Sequence, residues 1–239
     1  MTHVISFTDG AASGNPGPAG WGAVMYKPQT NHKAQSTDQD GYVKEIGGPI
    51  EDGTNNEAEL TAAINVLQFA QTNNAESVTM YTDSSYLIDG ATGWVYGWQK
   101  NGWKTKSGDS VKNQNLWKQI ADLQTDLSVN FEKVPGHAGV PANERADDIA
   151  TDFAKRLDPD LYTGTADGYG VSLQPQTQEI PDGPVYLSCV GGVVKQHVSW
   201  ADCKKRVDGQ NAQYRKVHTK QEKQQVLDEW NKTVEDITD

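Results

Sequence analysis

The spacing of hydrophobic and polar positions changes several times along the chain, and each change predicts an element. Val4-Ile5-Ser6-Phe7-Thr8 reads as a strand that runs into Asp9-Gly10. Asn15-Pro16-Gly17-Pro18 is turn chemistry. Trp21 to Tyr26 and Tyr42 to Gly47 predict two more strands around a polar hairpin loop from Lys27 to Asp40. No helical period separates these three, so they predict an antiparallel meander. Thr54 and Glu57 have the spacing of a capping box, and Leu60, Ala63, Ile64 and Leu67 behind it form the i, i+3, i+4, i+7 stripe of a helix. Val78-Thr79-Met80 predicts a buried strand ending at Asp83, with Ser84 capping a helix that opens at Ser85. Val129 to Val134 is a further strand. Pro141 starts a helix whose apolar face is Ala146, Ile149, Ala150, Phe153, Ala154 and Leu157.

Past that helix the period is lost. Residues 158–183 are dominated by Asp, Gly, Pro, Gln and Thr and predict a flexible acidic linker. Pattern returns with Val185 to Val190 and Val193 to Val198 around Gly191-Gly192, a strand–turn–strand. A helix at Trp200 capped by Ser199, a short strand closing at Val217 and a helix from Gln221 to Trp230 follow. The chain therefore divides into a domain of residues 1–157, a linker, and a small domain of 184–239 with an acidic tail. The fold class is α/β.

The net charge of −11 over 239 residues argues against a nucleic-acid partner when taken whole. Its distribution changes that. Residues 1–157 carry −7 and the linker −5, but 184–226 carries +5, and local patches matter more than the sum. Trp94, Trp98, Trp103 and Trp117 are interleaved with Lys100, Lys104, Lys106, Lys112 and Lys118. Aromatic and basic residues so mixed suit a nucleic-acid backbone. They suit equally a tryptophan core with a solvated lysine face. No apolar run approaches the roughly 20 residues that span a bilayer, and no signal-peptide pattern opens the chain. Two cysteines, Cys189 and Cys203, make no disulfide framework. They are expected as small buried side chains of a cytoplasmic protein.

Four acids stand out. Asp9 and Asp83 are expected to end strands, while Glu59 and Asp147 are expected near the beginnings of helices. Singly, the helix pair would be ordinary dipole acids. Gathered, two charges 4 Å apart repel by about 4 kcal/mol at an effective dielectric near 20. Either some stay protonated or a cation binds between them. Oxygen-only ligands favour Mg²⁺ or Mn²⁺ over zinc, and two such ions can clamp a phosphodiester. His137, on a Gly-flanked loop, could move protons there.

Thr8-Asp9-Gly10, Gly14-Asn15-Pro16-Gly17-Pro18, Thr54 to Leu60, Tyr81-Thr82-Asp83-Ser84, Gly136-His137-Ala138-Gly139 and Asn143-Glu144-Arg145-Ala146-Asp147 together resemble the ordered motifs of type 1 ribonuclease H. The resemblance implies a mixed five-stranded sheet flanked by helices. It implies hydrolysis of the RNA strand of an RNA/DNA hybrid to 3′-hydroxyl and 5′-phosphate ends. It implies two Mg²⁺ ions, with Mn²⁺ as substitute, on Asp9, Glu59, Asp83 and Asp147. His137 would serve proton transfer or product release and Glu144 metal exchange. Asn15, Asn55, Asn56 and Ser84 would meet the RNA strand, and Trp98, Lys100, Trp103 and Lys104 would belong to a basic protrusion that grips the hybrid. Ser85 stands where some members have Gln, and the loop at 27–40 is longer than usual. Residues 184–226 resemble the small hybrid-binding, or viroplasmin-like, domain, with Tyr186, Trp200, Arg215 and Lys216 at its binding positions. That module usually comes first and here comes last. Cys189 and Val190 stand where basic residues are common in its first hairpin. The implied partners are the hybrid and, through the last module, duplex RNA; a monomer without membrane attachment is expected. A non-catalytic binder of the same fold is the alternative. A related nuclease or strand-transfer enzyme fits the Asn56 and His137 motifs less well.

Overall fold

The computed structural model describes residues 2–28, 41–136, 139–175, 185–217 and 220–238. The chain divides into two compact units, one of Met1–Gly136 and Pro141–Pro175, the other of Gln176–Asp239 together with His137–Val140.

The first unit is built on a six-stranded sheet in the order β5-β4-β1-β2-β3-β6. The strands are β1 (His3–Ala12), β2 (Gly17–Pro28), β3 (Gly41–Gly53), β4 (Ser77–Thr82), β5 (Ser128–Lys133) and β6 (Thr163–Thr165). The expected meander is present: β1, β2 and β3 pair antiparallel, whereas β4 runs parallel to both β1 and β5. From Phe7 to Gly10 every residue of the central strand β1 is buried. A strand covered on both faces has no solvent side to alternate with.

Helix α1 (Asn55–Thr72) starts at the capping box, where the Thr54 hydroxyl accepts from Glu57 N–H and the Glu57 carboxylate accepts from Thr54 N–H. Its Leu60, Ala63, Ile64 and Leu67 join Val4, Met25, Val78 and Met80 in the main core. Helices α2 (Ser85–Asp89) and α3 (Val95–Lys100) flank a π-helical turn at Gly90–Trp94, and α4 (Gln114–Asp126) adds Trp117 and Ile120 to that core. The opposite face is covered by α5 (Pro141–Ala154), which crosses β1, β2 and β3. A Cβ at Gly22 would run into the Ala146 carbonyl oxygen, and one at Gly20 into the Ala150 carbonyl oxygen. Glycine is required there because the helix backbone rests on the strand.

Three expectations are corrected. The sheet has six strands, not five, because Thr163–Thr165 pairs antiparallel with Tyr42–Lys44. Residues 158–175, expected as the start of a flexible linker, belong to the first unit, held by β6 and by tyrosines that bond the buried Glu45. Helix α5 stops at Ala154, and Leu157, read as part of its apolar face, is 54% exposed. The remainder of the expected linker, 176–183, and most of the expected hairpin loop, 29–40, lie outside the described residues.

The second unit has a four-stranded sheet in the order β10-β8-β7-β9. Its strands are β7 (Val185–Val190), β8 (Val193–His197), β9 (Ala212–Val217) and β10 (Ile237–Thr238). Gly191 and Gly192 both have positive φ, 58° and 81°, as a two-residue hairpin turn demands. Helix α6 (Trp200–Val207) begins at the Ser199 cap, and α7 (Lys220–Glu229) sends Val226 and Leu227 into a core with Val185, Leu187, Val194 and Val217. Both cysteines are free; Cys203 is buried and Cys189 partly so. Among the described residues no helix is long and apolar enough to cross a membrane.

Candidate active site

Asp9 lies within the central strand, opposite Gly22, and is 8% exposed. Its Oδ1 accepts a hydrogen bond from the Gly10 N–H at 2.7 Å. Burial pushes its carboxyl up to about 8, Asp83 adds to this, and Asp147 and Glu59 push the same way, while the Gly10 bond opposes them. The four acids picked from sequence thus meet electrostatically at one place. The topology explains why: the parallel register pairs Phe7 with Tyr81, which sets Asp9 beside Asp83, while Gly10 lies against the Glu59 backbone and Gly22, opposite Asp9, against Ala146 next to Asp147.

Each of the other three acids is set by its element. Glu59, in the second turn of α1, accepts a hydrogen bond from the Ser84 hydroxyl. Burial raises its carboxyl; the Ser84 bond lowers it and Asp83 raises it again. Ser84 is 5% exposed and caps α2 by accepting from Leu87 N–H at 3.1 Å. One hydroxyl therefore anchors both a helix start and a candidate ligand. Asp83 follows β4, and a Cβ at Gly136 would collide with its Oδ2, so the loop needs glycine to pass this carboxylate. Asp147, on α5, accepts from the Thr151 hydroxyl at 3.5 Å. Glu144 is half-buried in the first turn of the same helix.

This donor set is all oxygen, and Asp83, Asp147 and Glu59 add to burial in disfavouring the charged form of Asp9. Such a set fits a hard divalent cation. Among the described residues no three His, Cys, Asp or Glu side chains already converge closely enough to hold an ion. His137 lies outside the described residues.

A cleft of about 510 Å³ is lined by Asn15, Asn56, Tyr86, Trp94, Trp98 and Lys112, among others. Two expected substrate residues, Asn15 and Asn56, thus share one surface with Trp98. The tryptophans divide between the two roles read from sequence. Trp117 is fully buried and packs edge-on to Tyr86, whereas Trp94 is 42% exposed and packs against Trp98. Trp103 packs against the core with the Lys118 ammonium over its ring rather than lining the cleft. Lys100, Lys104 and Asn55 are exposed. Ser85 receives a hydrogen bond from Lys133, at the end of β5.

In the second unit, Tyr186 packs against Trp200 at 5.7 Å and Trp200 against Tyr214 at 5.1 Å, with Lys216 over the Tyr186 ring. Sequence reading missed Tyr214. Its signal was its position two residues before Lys216 in a strand, which puts both on one face. The same alternation corrects Arg215. It pairs with Leu187, while Tyr214 and Lys216 pair with Ser188 and Tyr186, so Arg215 lies on the other face of the sheet.

Comparison with known proteins places the first unit. The family model for RNase H matches residues 1–155. The chain is 46% identical over 155 residues to a protein named ribonuclease H from Cyanothece sp., covering 65% of this chain and 91% of that relative. It is 47% identical over 150 residues to one of the same name from Agrobacterium fabrum, covering 63% and 93%. Among solved structures, a type 1 RNase H with the type 2 active-site motif superposes with a TM-score of 0.61 at 26% identity, covering 73% of this chain and 88% of that one.

Proposed function

Since the chain belongs to the ribonuclease H family, we propose that it is a metal-dependent endonuclease that hydrolyses the RNA strand of RNA/DNA hybrids, leaving 3′-hydroxyl and 5′-phosphate ends. What carries this assignment is the match of the RNase H family model to residues 1–155, in a fold that brings Asp9 under the combined field of Asp83, Asp147 and Glu59.

Asp9, Glu59, Asp83 and Asp147 would hold the metal. Divalent cations, two Mg²⁺ with Mn²⁺ able to replace them, supply Lewis acidity and water activation at a scissile phosphate. The protein's own groups do the rest. Ser84 fixes the Glu59 carboxylate, Gly136 lets the loop pass Asp83, and the buried position of Asp9 strengthens its attraction for a cation. Asn15, Asn56 and Trp98 offer the RNA strand amide hydrogen bonds and a stacking surface. Ser84, already engaged with Glu59, contributes through that carboxylate and at the edge of the RNA site. Lys100, Lys104 and Lys112 attract phosphates. His137 moves a proton near the leaving group, and Glu144 assists metal exchange.

The second unit would bind the hybrid through the Tyr186, Trp200 and Tyr214 rings and Lys216, with duplex RNA as a second ligand. Two exposed rings, Trp200 and Tyr214, beside a half-buried Tyr186 and a lysine match what base or sugar stacking and phosphate attraction need. The test is a cleavage assay on labelled hybrid, duplex RNA, single-stranded RNA and duplex DNA, with Mg²⁺ and with chelator. Cleavage confined to the RNA of the hybrid and abolished by chelator is expected. Cutting of duplex DNA, or cleavage that survives chelation, would overturn the assignment.

A further inference from the structure

Helix α5 seats Ala146, Ile149 and Ala150 against Gly22 of β2. Beside that seat, Arg145 ties the helix to β3. Its Nε donates to Glu45 Oε1 and its Nη2 to Glu45 Oε2, both at 2.8 Å, and Nη2 also reaches the Asp160 carbonyl oxygen at 2.8 Å. Glu45, on β3, is 2% exposed. It accepts two more bonds from the segment that follows α5: the Tyr162 N–H at 2.9 Å and the Tyr169 hydroxyl at 2.6 Å. The Glu45 N–H in turn donates to the Tyr162 carbonyl oxygen at 2.8 Å. The two tyrosine rings pack at 4.9 Å, and β6 pairs with β3 directly beside Glu45. Burial alone would raise the Glu45 carboxyl, yet the bonds from Arg145, Tyr169 and Tyr162 outweigh it and hold it below the ordinary carboxylate range.

An α-helix turns about 100° per residue, so residues 145 and 147 leave the α5 axis on roughly opposite sides. A helix gripped at Arg145 toward β3 therefore presents Asp147 at a fixed angle away from it. We infer that Asp158–Tyr169 is a positioning segment for the metal-holding end of α5, with Glu45 and Tyr169 acting through Arg145 as positioning residues for Asp147. This rests on the proposal that Asp147 is a metal ligand. The segment lies beyond the residues that the RNase H family model matches, 1–155. Nothing in the metal chemistry itself calls for a tyrosine 22 residues beyond the ligand; the hydrogen bonds on Glu45 do.

The test uses the full chain carrying Tyr169→Phe, which keeps the ring and removes the hydroxyl, and separately Arg145→Lys, which cannot grip both Glu45 oxygens. Mg²⁺ affinity is measured by calorimetry without substrate, beside melting temperature, kcat and KM as a function of Mg²⁺. Tyr169→Phe should leave KM for hybrid unchanged within about twofold and weaken Mg²⁺ affinity by about tenfold, the low end of the loss when a ligand-orienting partner is removed. Its kcat should fall at limiting Mg²⁺ and recover at saturation. Arg145→Lys should shift Mg²⁺ affinity the same way. A lowered melting temperature with unchanged Mg²⁺ affinity would make the segment a mere stabiliser and end the inference. Asp147→Asn serves as control: retention of full activity and Mg²⁺ affinity in that variant would remove the ligand assignment itself.

Discussion

At the scale of single residues, Asp9 is held uncharged chiefly by its burial, with Asp83, Asp147 and Glu59 adding to it. Its carboxyl stands near 8 in the fold, against 3.8 for an ordinary aspartate. Between those values the native chain binds more protons than the unfolded one, so metal-free stability falls as pH rises from about 4 to 8 and levels off above. At about 1.4 kcal/mol per pH unit the loss amounts to several kcal/mol across the window. Asp9→Asn should therefore raise the denaturation midpoint of chelator-treated protein at pH 8, leave it nearly unchanged at pH 4, and abolish cleavage. Mg²⁺ should stabilise the native sequence at pH 8 and the variant far less. A variant no more stable than the native chain at pH 8 would mean that Asp9 is not the strained group. His137→Ala belongs to the same scale. General acid–base help is typically worth 10²–10⁴-fold, so this variant should turn over slowly in single-turnover assays where Asp83→Asn is dead. Equal inactivity of the two would make His137 as essential as the ligands.

At the scale of elements, the sequence displays what is local and hides what is distant. The capping box at Thr54, the Ser84 and Ser199 caps and the Gly191-Gly192 turn are each written in a few adjacent residues, and all are present. Asp83 does follow the end of β4, and Glu59 and Asp147 lie near helix starts, but Asp9, read as ending its strand, lies inside it, because β1 pairs with β2 as far as Ala12. β6 could not be read this way. It has three residues and no period, and its anchors act across sequence separations of 117 and 124 to reach Glu45. β3 likewise runs on to Gly53 through Gly47-Gly48-Pro49, which reads as a breaker. The glycine at 47 serves α5, since a Cβ there would strike Ile149 and Phe153. Gly22→Ala should accordingly destabilise the fold by about 1–3 kcal/mol or more through overpacking, seen as a lower urea midpoint. Strand alternation yields another expectation. Trp200→Ala and Lys216→Ala should each weaken hybrid binding, with stacking worth about 1–3 kcal/mol per base, whereas Arg215→Ala should change it little. An Arg215 effect equal to that of Trp200 would contradict the register.

At the scale of the whole molecule, the boundary of the first unit falls at Pro175 rather than at Leu157. A chain ending after Pro175 should keep kcat on bound hybrid while losing affinity and showing a shallower salt dependence, because the +5 of residues 184–226 is gone. Equal affinity and equal salt slope for the short and full chains would show that the second unit does not bind the hybrid. A chain ending after Leu157 is a different object. It loses both tyrosine bonds to Glu45, and it also uncovers the Tyr42–Lys44 edge of β3, leaving β3 the outermost strand of the sheet along its whole length. A long bare edge is a template on which another chain can pair. Three residues of β6 thus serve as a bumper between molecules, and their removal would show first as clumping in a concentrated solution, before any loss of chemistry is measured.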